Sequence, residues 1–294
     1  MTLIVIEGVD GSGKSTVAQH LPHTQHVHCG PIKQSPWEEY VLPLAEYDFN
    51  VDMVCDRLHV GELIYGPIYR GESKLDVAAR RFIEMFLDSR GALKVIIAPP
   101  LEVVSQRLVE RGEDFLQASD LERVWNFYRL YGSEHGWLVV ERPDVAVLRS
   151  LAEATEARAR HLASYPQYVG HATPDTLLVA PKTPARVFTT ELDGIHRAPF
   201  KVLNDHPDSA ANLLFRSLPQ DERIGVADTD KIGDLWEMLG YPRLVALGSS
   251  VSQTLNRSGI PCKSWIPHPY EVVSKATPMI PKYADIIMKG ITRA

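Results

Sequence analysis

The segment Gly8-Val9-Asp10-Gly11-Ser12-Gly13-Lys14-Ser15 constrains this chain more than any other, because it fills every fixed position of G-x-x-x-x-G-K-[ST]. Leu3-Ile4-Val5-Ile6 before it is a short apolar run, and residues 15–21 after it can form a helix. Strand, glycine-rich loop and helix start, in that order, are what a phosphate cradle requires. The glycines let backbone N–H groups converge on phosphate oxygens, and the helix adds the positive end of its dipole. Lys14 can then reach the β and γ phosphates, the Ser15 hydroxyl can ligate Mg2+, and Thr16 can add a hydrogen bond. A plain glycine-rich turn would make the lysine and hydroxyl neighbours accidental. The pattern therefore predicts ATP–Mg2+ binding by Gly8, Asp10, Gly11, Ser12, Gly13, Lys14, Ser15 and Thr16. It does not choose between kinase, motor, switch and clamp.

The rest of the chain predicts where such a loop would sit. Strands are expected at 27–29, 51–55, 94–98 and 137–140, and helices at 37–45, 75–89, 101–110, 121–131 and 145–162. Short apolar strands alternating with helices predict an α/β layer fold with a mostly parallel sheet. Tyr165 to Pro174 holds Pro166, Gly170 and Pro174 and reads as a boundary. A second set follows: strands at 176–180 and 244–247, a helix at 209–216, and part of another at 235–239. Two α/β domains are expected, at 1–165 and 172–294, the second the smaller.

Several residues around the loop suit phosphate chemistry. Asp56-Arg57 follows a predicted strand, so Asp56 can orient metal-bound water or an acceptor hydroxyl, or else cap the next helix. Arg57 suits an acceptor or transferring phosphate. Arg107 and Arg111 are four apart and share a helix face; they can close over transferring phosphates, or form a solvated surface with Glu110. Arg70, Arg80 and Arg81 are weaker candidates for an acceptor phosphate.

Ile6 to Thr16, with a glutamate before the loop and an aspartate inside it, resembles the opening of thymidylate kinases. Asp56-Arg57 is similar to that family's Asp-Arg pair, and the stretch from Asp56 to Pro67 looks like bacteriophage thymidylate or deoxynucleotide kinases. The resemblance covers roughly residues 1–162 and implies a P-loop nucleotide kinase fold acting in nucleotide biosynthesis. It implies Lys14, Asp56, Arg57, Arg107 and Arg111 as catalytic, Ser15 and Asp56 at Mg2+, and Asp10, Arg57, Tyr65, Arg70 and Arg81 toward the substrate. The family's serine, tyrosine and glutamine correspond here to Gly61, Tyr65 and Gly66, so only Tyr65 carries over, as a wall for the base. The early Arg-Glu-Pro motif is replaced by Cys29-Gly30-Pro31, a departure that bears on thymidylate as acceptor. Thymidylate kinases commonly form dimers, which makes a homodimer the assembly this resemblance allows.

Farther on, Leu177 to Pro181, Ala198-Pro199-Phe200, Leu244 to Gly248 and His268-Pro269-Tyr270 form a spaced series that resembles the uracil-DNA glycosylase superfamily. The loop Ala180 to Pro184 offers no carboxylate to place water, and Tyr270 stands where a small hydroxyl residue is usual. The resemblance implies a degenerate domain retaining base recognition or stability alone.

Composition bounds the alternatives. A net charge of −6 gives no general attraction to nucleic acid. Cys29, Cys55 and Cys262 show no metal-ligand spacing and fit a reducing compartment. His20, His23, His26 and His28 are dense but follow no metal pattern. No apolar run suggests a membrane span, so cytoplasm, a host's if viral, is expected. The leading expectation is a deoxynucleoside monophosphate kinase; the others are a kinase for a modified pyrimidine in DNA and a nucleotide-binding regulatory protein.

Overall fold

The computed structural model describes residues 2–23, 25–33, 36, 39–40, 44, 51–112, 116, 118–165, 168–181, 210–219, 222–229, 231–269, 272 and 282–294. The predicted helix at 37–45 lies outside these except for Glu39, Tyr40 and Leu44, and residues 182–184, Ala198-Pro199-Phe200 and Tyr270 lie outside them entirely. The chain divides into two units, Met1–Leu75 with Arg90–Arg160 and Asp76–Ser89 with His161–Ala294. Both are α/β units built on largely parallel sheets.

The first stretch runs β1 (Leu3–Glu7), α1 (Lys14–His20), β2 (Gln25–His28), β3 (Met53–Asp56) and α2 (Val60–Arg70). Helix α3 (Val77–Ser89) follows but belongs to the second unit. The first unit resumes with β4 (Leu93–Ile97), α4 (Leu101–Arg111), α5 (Ala118–Glu134), β5 (Leu138–Val140) and α6 (Val145–Ala159). Its five strands lie in the order β2-β3-β1-β4-β5 and every pairing is parallel. Strand β1 is central and buried at all five residues, which is why its first four form an apolar run rather than an alternating pattern. Ile4, Ile6, Val54, Val95 and Ile97 of the sheet pack with Val17, Ala18 and Leu21 of the α1 region and Leu148 and Ala152 of α6. Asp144 starts α6 by accepting from the N–H groups of Ala146 at 2.8 Å and Val147 at 3.2 Å.

The second unit comprises α3, β6 (Val169–Gly170), β7 (Thr176–Ala180), α7 (Ala210–Ser217), β8 (Ile224–Asp228), α8 (Ile232–Met238), β9 (Arg243–Leu247), α9 (Ser249–Arg257), β10 (Ser264–Ile266) and α10 (Tyr283–Arg293). Its sheet order is β10-β9-β7-β8-β6, parallel except where β6 runs against β8. Helix α3 packs here through Phe82, whose ring centroid is 5.1 Å from that of Phe215 in α7. The sequence predicts residues 75–89 within the domain at 1–165, whereas Asp76–Ser89 packs with the second unit. The sequence expectations have no counterpart for α2, β6, β8, α9, β10 and α10. Among the described residues, no helix is long and apolar enough to cross a membrane.

Candidate functional site

Strand β1 delivers the glycine-rich loop to the carboxyl edge of its sheet, the edge at which open α/β sheets bind ligands. Gly8 sits at φ 146°, and a Cβ there would lie 2.4 Å from the Ile97 carbonyl oxygen. Gly11 at φ 82° and Gly13 at φ 98° keep the loop in conformations that only glycine adopts without strain. The Ser12 N–H donates to the Val9 carbonyl at 3.1 Å and tightens the turn. Lys14, the first residue of α1, is 4% exposed; its ammonium donates to the Val9 carbonyl at 2.9 Å and lies 3.7 Å from Asp10. Burial lowers its pKa to about 8; Asp10 works against that shift and Arg57 with it.

Above the loop is a cavity of about 320 Å³ lined by Asp10, Gly11, Gly13, Lys14, Ser15, Thr16, Arg57 and Arg111. That volume falls at the lower end of the range for small-molecule sites. Strand β3 pairs beside β1 and brings Asp56 and Arg57 to the same edge. Asp56 is 2% exposed; one carboxylate oxygen lies 3.5 Å from Nδ1 of His28 and the other, Oδ1, has no hydrogen-bond partner. Arg57 adopts φ 74°, a left-handed conformation rare for a residue with a side chain, and its guanidinium donates to Asp10 at 2.7 Å. Asp10 thus sits between two cations within the loop.

The two arginines of α4 have different surroundings. Arg107 donates to the carbonyls of Gly11 at 3.3 Å and Ser12 at 3.1 Å, so it holds the loop backbone. Arg111 lines the cavity. Tyr65 in α2 accepts the Asp10 N–H at 3.3 Å and stacks on Tyr69, with ring centroids 6.0 Å apart and planes at 7°. Burial, followed by Asp10, raises the Tyr65 pKa, so the phenol stays protonated.

Two predicted substrate residues are occupied elsewhere. Arg70 is paired with the buried carboxylate of Glu62, which also accepts the Lys74 N–H at 2.9 Å. Arg81 lies in the second unit and donates to the Phe215 carbonyl at 3.3 Å. The sequence reading noticed Glu7 without giving it a role. It is fully buried and accepts backbone N–H groups from Leu58 at 2.8 Å and Val60 at 3.0 Å. Its place directly after an apolar run and before the loop, in the stretch that resembles thymidylate kinases, was the signal for it.

Among the described residues no three His, Cys, Asp or Glu side chains are grouped to hold a metal. Mg2+ needs no such cage, since it takes one or two protein oxygens together with substrate phosphates. Buried Asp56 Oδ1, which has no hydrogen-bond partner, and the exposed Ser15 on the cavity wall fit that pattern. The Cys29 and Cys55 thiols do not suit nucleophilic chemistry: burial pushes Cys55 up to about 12 and raises Cys29 as well. His20 and His23 donate to the carbonyls of Thr16 and Leu21, each at 2.6 Å.

No family model matches the chain. The SPbeta prophage-derived uncharacterized protein YorR of Bacillus subtilis (strain 168) is 30% identical over 146 residues, spanning 46% of this chain and 85% of that protein. A crystal structure of YorR from Bacillus subtilis in complex with phosphorylated GDP aligns with 54% of this chain and 99% of that one, at 23% identity and a TM-score of 0.42.

Proposed function

This chain belongs to the family of the prophage protein YorR, and from that premise we propose that its first unit is an ATP-dependent phosphotransferase acting on a deoxynucleoside monophosphate, ATP + dNMP giving ADP + dNDP. The observation that carries the reading is the cavity itself: three glycines in left-handed conformations and a buried lysine face Arg57 and Arg111, beside a buried aspartate with a carboxylate oxygen to offer. Phosphoryl transfer asks mainly for positioning and charge neutralisation, and this is the equipment for both.

In this mechanism the loop N–H groups hold the donor's phosphates and Lys14 neutralises the β and γ oxygens. A phosphate oxygen of the acceptor attacks the γ phosphorus in line, the bond to the β–γ bridging oxygen breaks, and ADP leaves with the electron pair. Arg57 and Arg111 stabilise the charge on the transferring group, while Arg107 keeps the loop rigid. Asp56 and Ser15 would hold Mg2+, which supplies electrostatic stabilisation of the phosphates. Tyr65 would form a wall for the acceptor base.

For the second unit the proposal is a domain without glycosylase chemistry, serving base or nucleotide recognition or stability alone. The absence of that chemistry rests on the carboxylate-free sequence that follows β7.

The test is transfer from labelled ATP with Mg2+ to nucleosides, monophosphates and DNA carrying modified pyrimidines, with Lys14→Ala as control. Guanine nucleotides belong in the panel because YorR has been crystallised with phosphorylated GDP. Transfer to one free monophosphate supports the reading and names the acceptor. Transfer to DNA alone would replace it with a DNA kinase, and silence with tight ATP binding would replace it with a regulatory nucleotide-binding protein.

A further inference from the structure

Glu7 takes no part in the mechanism above, yet it stands between the two loops that carry it. It is the last residue of β1, so its own backbone leads directly into Gly8 and the phosphate loop. Its side chain turns the other way, toward β3, and Oε1 accepts both the Leu58 and Val60 N–H groups, at 2.8 and 3.0 Å. Val60 opens α2 and Leu58 lies in the turn just before it, and the first N–H groups of a helix have no partners within it. The residue at the usual capping position, His59, makes no side-chain cap there. The carboxylate of a neighbouring strand caps the helix instead, and a negative group at a helix amino terminus also complements its dipole.

The consequence falls on Arg57. Its φ of 74° is unfavourable for a residue with a side chain, and such a conformation persists only where its surroundings over-determine it. On one side the Arg57 N–H is held by the Ile6 carbonyl at 2.9 Å. On the other, the next amide along the chain, that of Leu58, is held by Glu7. Two consecutive residues of β1 therefore grip the turn, one by its main chain and one by its side chain. The second carboxylate oxygen of Glu7, buried, has no hydrogen-bond partner, and burial raises the pKa of the group. A core position with no role beyond packing would gain by replacing such a carboxylate with an apolar side chain.

We propose that Glu7 is a positioning residue: by capping the entry of α2 from the neighbouring strand it fixes the left-handed turn at Arg57, and so presents that guanidinium at the cavity wall. Its kinetic consequence rests on the phosphotransferase reading, whereas its structural consequence does not. Removing it disturbs the acceptor side of the site and spares the phosphate loop, which is held by its own bonds from Ser12 and Lys14 to the Val9 carbonyl.

The experiment compares the full chain with Glu7→Met, which keeps the volume and loses the acceptor, and Glu7→Gln, which keeps an acceptor oxygen. Glu156→Gln, at a buried carboxylate paired with Arg160 in the same unit, reports a general loss of stability. Amide hydrogen exchange is measured at residues 57–61 and 9–14, together with KM for acceptor and ATP. In Glu7→Met we expect exchange at 57–61 to accelerate by about tenfold or more and at 9–14 to stay within about twofold. The acceptor KM should rise about tenfold while the ATP KM moves less than about twofold, Glu7→Gln should restore most of both, and Glu156→Gln should leave the acceptor KM in place. Equal acceleration in both segments, a joint rise of both KM values, or no rescue by glutamine would overturn the proposal. If Glu7→Met does not fold, Glu7→Asp takes its place, since its shorter carboxylate cannot reach both amides. If the wild type transfers to no acceptor, the phosphotransferase reading fails, and the exchange comparison alone decides the role of Glu7.

Discussion

Strands β1 and β7 occupy the same place in their sheets, each central, each flanked by parallel neighbours, and each buried along all or nearly all of its length. Around them the two units bury different chemistry. Among the described residues, the first unit encloses Glu7, Lys14, Asp56, Glu62 and Glu156, whereas the second encloses only neutral polar groups, Ser89, Thr176, Ser217, Ser252 and Ser264. Buried charge is costly unless paired, and groups with shifted pKa values gather at functional sites. Three of the five charges, Glu7, Lys14 and Asp56, lie at the carboxyl edge formed by β1 and β3, beside the cavity. The difference teaches that one architecture encloses buried charge beside a cavity in one unit and a neutral core in the other, and that the charge pattern, more than the topology, sets the two apart.

The largest effect that tests this contrast is the loss of Lys14. Lys14→Ala should reduce phosphoryl transfer by about a thousandfold or more, the scale seen when a transition-state charge stabiliser is removed; near-normal turnover in a steady-state assay would remove the first unit's claim. A glycine pair comes next. Gly8→Ala forces a Cβ to within 2.4 Å of the Ile97 oxygen at φ 146°, while Gly240→Ala in the second unit, at φ 79°, meets nothing within 4 Å. Denaturant unfolding should show Gly240→Ala costing about 1–2 kcal/mol, the penalty of a left-handed residue alone. Gly8→Ala should cost clearly more, and equal losses would mean that the loop has room its geometry denies.

Proton linkage gives a smaller effect. With the Lys14 pKa at about 8 in the free protein, bound phosphate must raise it, so nucleotide affinity should hold steady below pH 8 and weaken as pH rises through it, by up to about tenfold per unit. For folding the sign is opposite. Between about 8 and the ordinary lysine value of 10.5 the unfolded chain binds more protons, so this residue's contribution to stability of the free protein improves with pH. Calorimetric titration across pH 7–9.5 checks the first statement and thermal melts check the second. The smallest change is expected from Ser252→Ala, which removes a hydrogen bond to the Cys262 carbonyl at 3.3 Å. It should cost about 1 kcal/mol of stability and leave transfer untouched; a loss of turnover would tie the neutral core to the reaction.

Where sequence pattern and packing agreed, the elements were legible. Leu3 to Ile6, Val95 to Ala98 and Leu244 to Leu247 are apolar runs, the first ended by Glu7 and the others by proline and glycine, and each marks a buried parallel strand. Helix α2 was hidden because Gly61, Gly66 and Pro67 lie inside it, residues that ordinarily weaken helices by about 1 kcal/mol for glycine and 3 for proline. The contacts explain the glycines: a Cβ on Gly66 would lie 2.8 Å from the Glu62 carboxylate, and one on Gly61 would lie 3.2 Å from the Tyr128 hydroxyl. Close packing, rather than a turn, calls for them. Serine-rich α9 was missed in the same way, since Ser249, Ser250 and Ser252 read locally as loop. At the site, the glycine-rich loop was readable because its residues are contiguous. The partners of Glu7, Arg81 and Arg107 are distant in sequence, and no spacing rule reaches them, while the Glu62–Arg70 pair stayed hidden with the helix that carries both.

The placement of α3 bears on how this protein can be taken apart. Because Asp76–Ser89 packs with His161–Ala294, the chain passes between its units at three points, after residues 75, 89 and 160, rather than through one tether. A fragment ending near residue 165 would carry α3 without the α7 residues against which Phe82 packs, and the complementary fragment would lack that helix altogether. Separating the halves therefore calls for excising residues 76–89 from one piece and grafting them onto the other. An exchange of halves between related genes at a single crossover would meet the same obstacle, because any one cut leaves α3 on one side of it and α7 on the other, or divides one of the two units.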